Sequence, residues 1–281
     1  LRKEVLMEAK TKKAFIEKNA GKDKLLGRPI ELNKVKLIET KGRDYAEILF
    51  FGDLHHGHPQ SQTEKAKAML DYALKKKMYI FCMGDMLEAG LSTSIGDSVY
   101  MQTLNPQRQM EEIIDLLEPL AKAGLIIGYL SGNHEQRIAN ATGIDISKVI
   151  CRQLGITYLG MAGWTVASVG NIRYSLYCTH GSGGSRFIYT KLSKVINLGS
   201  WIDCDILAMG HVHSIASEVL IKQTYNRTHN RVEEKKQYVC LTGSYIAWNK
   251  TYAEAQGYPP TKLGSPKAKL MTDKKGVHFS F

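Results

Sequence analysis

The stretch AEILFFGDLH, residues 46–55, is a short apolar run that stops on Gly52 and then delivers a carboxylate, Asp53, and an imidazole, His55. Its length is that of a buried strand. The same grammar returns four times. A strand at 78–83 runs into Gly84-Asp85, and one at 125–130 is followed by Gly132-Asn133-His134-Glu135. A strand ending at Cys178 meets His180, and one at 205–209 meets Gly210-His211-Val212-His213. A further strand is expected at 156–159, and helical periodicity runs over 62–77, 106–123, 145–154 and 186–199. Strands alternating with helices predict an α/β fold with a largely parallel sheet. Such sheets place ligands just past the carboxyl ends of their strands, where these Asp, Asn and His residues fall.

The second half changes character. Residues 166–178 read as a hairpin turning at Gly170-Asn171. Strands near 215–224 and 236–242 flank a polar loop with Arg227, His229 and Arg231, and a last pair is expected at 268–272 and 277–281. At the other end, the first 20 residues read as a polar helix, and a short strand is expected at Val35 to Ile38. The organisation expected is a basic extension over 1–44 and one domain over 45–281, with an insert loop at 88–105 and a basic β region at 222–281.

Charge follows the same division. The net charge of +11 is made of +6 in residues 1–44, −2 in 45–221 and +7 in 222–281. Basic flanks around a slightly acidic centre suit a core whose outer surfaces attract a polyanion. No run approaches the roughly 18 apolar residues of a membrane span, so no membrane partner is expected. The five cysteines are scattered and lack CxxC spacing. They read as small buried hydrophobes in a reducing compartment, which makes a cytoplasmic location the expectation.

The clustered ligands carry the chemistry. Asp53 and His55 are two apart, and in extended chain their side chains point to one side; His211 and His213 repeat the spacing. Mixed carboxylate, imidazole and amide donors suit borderline cations such as Mn²⁺, Fe, Zn²⁺ or Ni²⁺. Asp53, His55, Asp85, Asn133, His180, His211 and His213 are too many donors for one ion and about right for two.

This set, in this order, resembles the calcineurin-like metallophosphoesterase family, whose pattern is DxH, GD, GNH(E/D), H and GHxH; here it spans 53–213 with every ligand position filled. The resemblance implies a four-layer α/β/β/α sandwich with mixed sheets. It also implies that Asp53, His55, Asp85 and His213 hold one divalent ion, and Asp85, Asn133, His180 and His211 the other, with Asp85 bridging. His134 would be the catalytic group that faces substrate without ligating metal. Two such ions hold a hydroxide between them and clamp the oxygens of an in-line displacement on phosphorus, while His134 protonates the leaving oxygen or stabilises charge on phosphate.

The reaction class leaves the substrate open. The basic ends favour a phosphodiesterase acting on nucleic acid. The alternative is a small nucleotide, cyclic or pyrophosphate-linked, under the 88–105 loop acting as a lid. A scaffold protein on an inactive fold is disfavoured because no ligand position is lost. Phosphoprotein phosphatases carry an arginine soon after the GD motif, whereas Met86 to Gly90 hold none and Ser131 stands where such enzymes place another. Candidate substrate contacts are His58, Gly183, Gly184 and Arg186, the glycines offering backbone N–H groups to phosphate ahead of a helix opening at Arg186. His56 is expected at the surface. The oligomeric state is left open.

Overall fold

The computed structural model describes residues 32–37, 43–92, 94 and 98–281; the helix expected over the first 20 residues lies outside them. Two mixed sheets form the body. The first has the order β1-β5-β6-β7-β9-β8 and the second β11-β10-β2-β3-β4. The first is built from β1 (Leu32–Leu37), β5 (Ala162–Val169), β6 (Ile172–Thr179), β7 (Ile206–Met209), β8 (Ile215–Asn226) and β9 (Arg231–Thr242). The second contains β2 (Tyr45–Phe51), β3 (Tyr79–Cys82), β4 (Ile126–Tyr129), β10 (Lys267–Met271) and β11 (Val277–Ser280). Parallel pairs, β2 with β3 and β3 with β4, sit beside antiparallel β10, as the mixture of βα units and hairpins in the sequence requires.

Strand alternation builds the layers, because successive side chains leave a strand on opposite faces. Ile206 and Ala208 of β7 join the large core with Phe50, Phe81 and Leu49 of the second sheet. Leu207 and Met209 join a smaller core with Val195 of helix α6 (Ile188–Trp201). Strand β9 divides the same way, Cys240 inward and Val239 with Leu241 toward α6. The far face of the second sheet is covered by α1 (Thr63–Lys76), α3 (Pro106–Lys122) and α5 (Ile146–Leu154), whose Leu70, Ile113, Leu117 and Ile150 complete the large core. The short α2 (Ser98–Met101), α4 (Asn133–Thr142) and α7 (Tyr252–Ala255) lie between larger elements in the chain. The architecture is the four-layer α/β/β/α sandwich. All five cysteines are buried and free. Among the described residues, no helix is long and apolar enough to cross a membrane.

Several expectations need correction. Residues 156–159 form no strand; Tyr158 makes only an isolated bridge to Tyr129. Gly155 and Gly160, both at positive φ, turn the chain at each end and leave too few residues for a ladder. The hairpin expected at 215–224 and 236–242 extends to Asn226 and Arg231, because Tyr225 and Val232 continue the pairing. Helix α4 was not legible as a helix: only Glu135 and Ile138 are buried, too few to show a period. Strand β1 comes from the segment assigned to the basic extension and pairs in parallel with β5.

Candidate metal centre

Five strand ends converge on one cluster. Asp53 and His55 follow β2, Asp85 follows β3, Asn133 and His134 open α4 after β4, His180 follows β6, and His211 and His213 follow β7. The reason the paired residues converge is not the extended chain that the sequence suggested. Asp53, His55, Asp85, His211 and His213 all have positive φ, between 48 and 66°. Left-handed backbone is uncommon for residues with a side chain and collects at functional sites. Each loop coils as it leaves its strand, and the coil rather than the pleat turns both side chains inward.

Close backbone approach makes room for this. A Cβ on Gly132 would stand 2.0 Å from the Asp85 Oδ1, so only glycine admits the carboxylate there. The loops are also tied to each other: Asp53 donates its N–H to the Gly84 carbonyl at 2.9 Å, and His55 to that of Asp85 at 3.0 Å.

The donor atoms lie close together. His55 Nε2 is 3.2 Å from His213 Nε2 and 3.7 Å from Asp85 Oδ2. Asp53 Oδ1 is 3.3 Å from His213 Nε2. On the other side, His180 Nε2 is 3.2 Å from Asp85 Oδ2 and 3.0 Å from Asn133 Oδ1. Among the described residues, three groups could hold a metal ion: Asp53 with His55 and His213, Asp85 with His180 and His211, and His55 with Asp85 and His134.

Protonation follows from the partners. His55 donates Nδ1–H to Glu88 Oε2 at 3.2 Å, and His180 donates Nδ1–H to the Met83 carbonyl at 2.9 Å. Each ring thereby turns Nε2 toward the cluster, the arrangement that orients ligating histidines. Burial brings His55 down to about 3, keeping its Nε2 lone pair free. Burial works the same way on His180, but the charge of Asp85 overrides it and lifts the imidazole to about 10. The Asp85 carboxyl is held well below its usual range by His180 and His134, against its own burial. His211 Nδ1 is buried with no hydrogen-bond partner among the described residues. An orphaned imidazole nitrogen grouped with His180 and the Asp85 carboxylate fits divalent cations.

His134 also lies near Asp85 and His55, but both its nitrogens are engaged by protein. Nδ1–H donates to the Glu88 carbonyl at 2.7 Å, and Nε2 accepts from Arg137 Nη2 at 3.0 Å. Burial brings this imidazole down to about 4. Both ring nitrogens of His134 are thus taken up by protein groups, with Nε2 4.0 Å from Asp85 Oδ2.

The cluster opens into a cavity of about 700 Å³. His58, Gly183 and Gly184 line it; Arg186 does not. Helix α6 begins at Ile188, two residues later than expected, and Arg186 sits in the preceding bend with its guanidinium 5.8 Å from the Tyr258 ring. His56 is buried rather than at the surface, pinned by Glu112 at 2.8 Å and Thr63 at 3.2 Å. Among the described residues of the 88–105 loop expected as a lid, Glu88 and Met101 reach the cavity. Gln102 and Gln109 hold that loop down through Gly90, Ala89 and Leu104.

Four features escaped the sequence. Glu88 was assigned to the insert, yet it orients His55 and His134. Arg137 was not singled out, yet it donates to His134 Nε2 at 3.0 Å. Lys191, buried on α6 and donating to Ser214 Oγ at 2.8 Å, lines the cavity. So does the segment after β9, with Trp248, Tyr252 and Tyr258. A carboxylate three residues after Gly84-Asp85 was the available signal for Glu88; the others carried none.

Residues 46–215 match the family model for calcineurin-like phosphoesterases. The chain belongs to the calcineurin-like phosphoesterase family. No curated protein matches the chain. Among solved structures, it is similar to Vps29 from Cryptosporidium parvum, at 14% identity and TM-score 0.37 over 85% of this chain and 98% of that one. Vps29 from Entamoeba histolytica complexed with Zn²⁺ is similar at 13% identity and TM-score 0.35, over 83% and 97%. A conserved uncharacterized protein from Streptococcus pneumoniae, titled a "predicted phosphoesterase", is similar at 12% identity and TM-score 0.35, over 84% and 88%. As a member of the phosphoesterase family with clustered His and Asp groups, the chain is a metal-dependent phosphoesterase, with divalent cations its cofactors.

Proposed function

We propose that this chain hydrolyses a phosphodiester of nucleotide size, with two divalent cations held at the convergence of the five strand ends. The observation that carries this is the donor set: buried Asp53 and Asp85 facing imidazole nitrogens that include the unpartnered Nδ1 of His211. Asp53, His55, Asp85 and His213 would hold one ion, and Asp85, Asn133, His180 and His211 the other. Bound cations of this class, Mn²⁺ first among them, supply Lewis acidity and a nucleophile at neutral pH.

The chain's own residues do the rest. Asp85 is fixed by two backbone loops, and its Oδ1 accepts the His134 N–H at 2.9 Å. His134, with Nδ1–H tied to Glu88, has Nε2 as the atom that meets the leaving oxygen. Burial keeps it neutral until an anionic phosphate enters; that charge favours uptake of a proton from solvent on Nε2, and the imidazolium returns it to the departing alkoxide as the ester bond breaks. Arg137, now on Nε2, is free to swing onto a phosphate oxygen as the substrate displaces it.

Nucleotide size follows from the cavity, whose volume lies within the range of small-molecule sites. A long nucleic acid is the second reading, favoured by the +7 charge of residues 222–281. Three of the lysines behind it are engaged by other groups: Lys235 pairs with Asp203 at 2.6 Å. Lys267 lies over Tyr72 and Lys269 over Tyr45.

Mn²⁺-loaded protein assayed against cyclic nucleotides, single- and double-stranded DNA and RNA, and nitrophenyl mono- and diesters tests the proposal. Metal-dependent turnover of nucleotide diesters is expected. Two bound metal equivalents with no hydrolysis of any ester would sink it.

A further inference from the structure

The metal donors all lie between 53 and 213, yet much of the cavity is lined from elsewhere. Residues 245–263 leave β9 and return, closed at the base by the Ser244–Gly264 bridge, where Gly264 donates its N–H to the Ser244 carbonyl at 2.9 Å. This loop lies beyond the 46–215 family match. Its first residue is fastened to the metal centre: Tyr245 donates its N–H to the Asp53 carbonyl at 3.0 Å, and its ring packs 5.1 Å from that of Phe51.

The loop carries three aromatic rings to the cavity, and they have different employments. Trp248 donates Nε1–H to the Tyr258 carbonyl at 2.6 Å, bracing the loop across its own width. Tyr258 has Arg186 on one side and Tyr252 edge-on at 6.1 Å. Tyr252 is 56% exposed while lining the cavity, and among the described residues its hydroxyl has no hydrogen-bond partner. It lines the same cavity as His55, Asp85, Glu88 and His134. A large ring left half in water on a braced loop, beside a phosphoester site, is a surface waiting for a flat partner.

We infer that Tyr252 stacks on a nucleobase, making the 245–263 loop the element that selects nucleotides among phosphoesters. The inference rests on the function proposed above and names the part of the substrate that the metal centre does not touch. Stacking of a base on an aromatic side chain is worth roughly 5- to 150-fold in affinity and tolerates any base.

Calorimetric titration of the full chain, with and without Mn²⁺, uses adenosine 5′-monophosphate and ribose 5-phosphate as probes. They share phosphate and sugar and differ by the base. Wild type is expected to bind the nucleotide at least about 5-fold more tightly. Tyr252→Ala should abolish that preference without changing ribose 5-phosphate affinity, and Tyr252→Phe should retain it. Equal binding of the two probes by wild type would overturn the inference. So would a Phe variant as weak as the Ala variant, since the hydroxyl and not the ring would then matter. Base preference without hydrolysis of any ester leaves this inference standing and removes the function proposed above. Hydrolysis without base preference does the reverse.

Discussion

Glu135 accepts the backbone N–H of Asp85 at 3.1 Å, so the loop that supplies one carboxylate to the metal centre is clamped by another. The same side chain accepts the N–H groups of Met86 at 2.7 Å, Leu87 at 2.9 Å and Gly132 at 2.9 Å. Burial, and then the charge of Asp85, lift this carboxyl to about 7, against the pull of those N–H groups. Glu135→Ala leaves four buried donors unpaired and should destabilise the fold by at least about 3 kcal/mol. Glu135→Gln replaces one oxygen with an NH₂ that meets two donors head-on, and should lose about half as much. Urea unfolding of the metal-free variants reads both, and an alanine variant within about 1 kcal/mol of wild type would refute the clamp.

Asp85→Asn tests the bridging assignment. The carboxylate lies 3.2 Å from His180 and 3.7 Å from His55, so neutralising it should weaken both ions and remove activity. Elemental analysis of the purified variant checks it. Retention of two metal equivalents with normal turnover would mean that Asp85 does not bridge.

His134→Ala should part binding from chemistry. Since both ring nitrogens face Glu88 and Arg137, metal content should stay near wild type while turnover falls roughly 10²–10⁴-fold. The loss should shrink for nitrophenyl leaving groups, which need little protonation. Equal losses on good and poor leaving groups would point to charge stabilisation on phosphate instead.

Stability of the metal-free chain should depend on pH through His180. Its folded imidazole titrates near 10, against an ordinary 6.5. A group raised on folding stabilises fully below the unfolded value and loses that contribution as pH climbs through the folded one. Thermal unfolding in EDTA should therefore drop between pH 6.5 and about 10, and His180→Gln should flatten the drop. In the loaded protein the cation takes the place of that proton, so metal affinity should rise with pH over the same window.

The clustering of the candidate donors was legible because each is announced twice, by a ligand-type residue and by the strand that ends before it. The strands that carry these residues followed from their apolar runs, whereas 156–159, the β8–β9 hairpin, α4 and the start of α6 did not. What escaped was set by tertiary contact alone. Nothing in the sequence says that Asp53 and His55 would take left-handed backbone, since that follows from loops hydrogen-bonded across β2 and β3. Glu88 reads as the start of a polar loop until the fold brings His55 and His134 to it. Trp248, Tyr252 and Tyr258 lie in a stretch without period or motif, and only the return of the chain from β9 to β10 carries them to the cavity. In the basic C-terminal region composition suggested a track, and the structure divides its lysines between the two sheets.

That dispersal yields the last prediction. Lys235 and Lys236 lie on β9 of the first sheet, Lys267 and Lys269 on β10 of the second, and none of the four lines the cavity. Lys269 faces Glu47 across the strand pair as well as the Tyr45 ring. A residue that contacts phosphate along a duplex adds counterion release, with a slope of about −0.9 in log affinity against log salt per neutralised phosphate. If these lysines do not form a track, replacing all four with glutamine should leave that slope within about one unit of wild type on long DNA or RNA. KM for a nucleotide diester should also be unchanged, since the metal centre, His134 and Tyr252 are untouched. Steady-state kinetics across a salt series decide the matter. A slope flattened by about three units, with KM raised on polymer alone, would show that the two sheets together present a polyanion surface. The substrate would then be nucleic acid rather than a nucleotide held in the cavity.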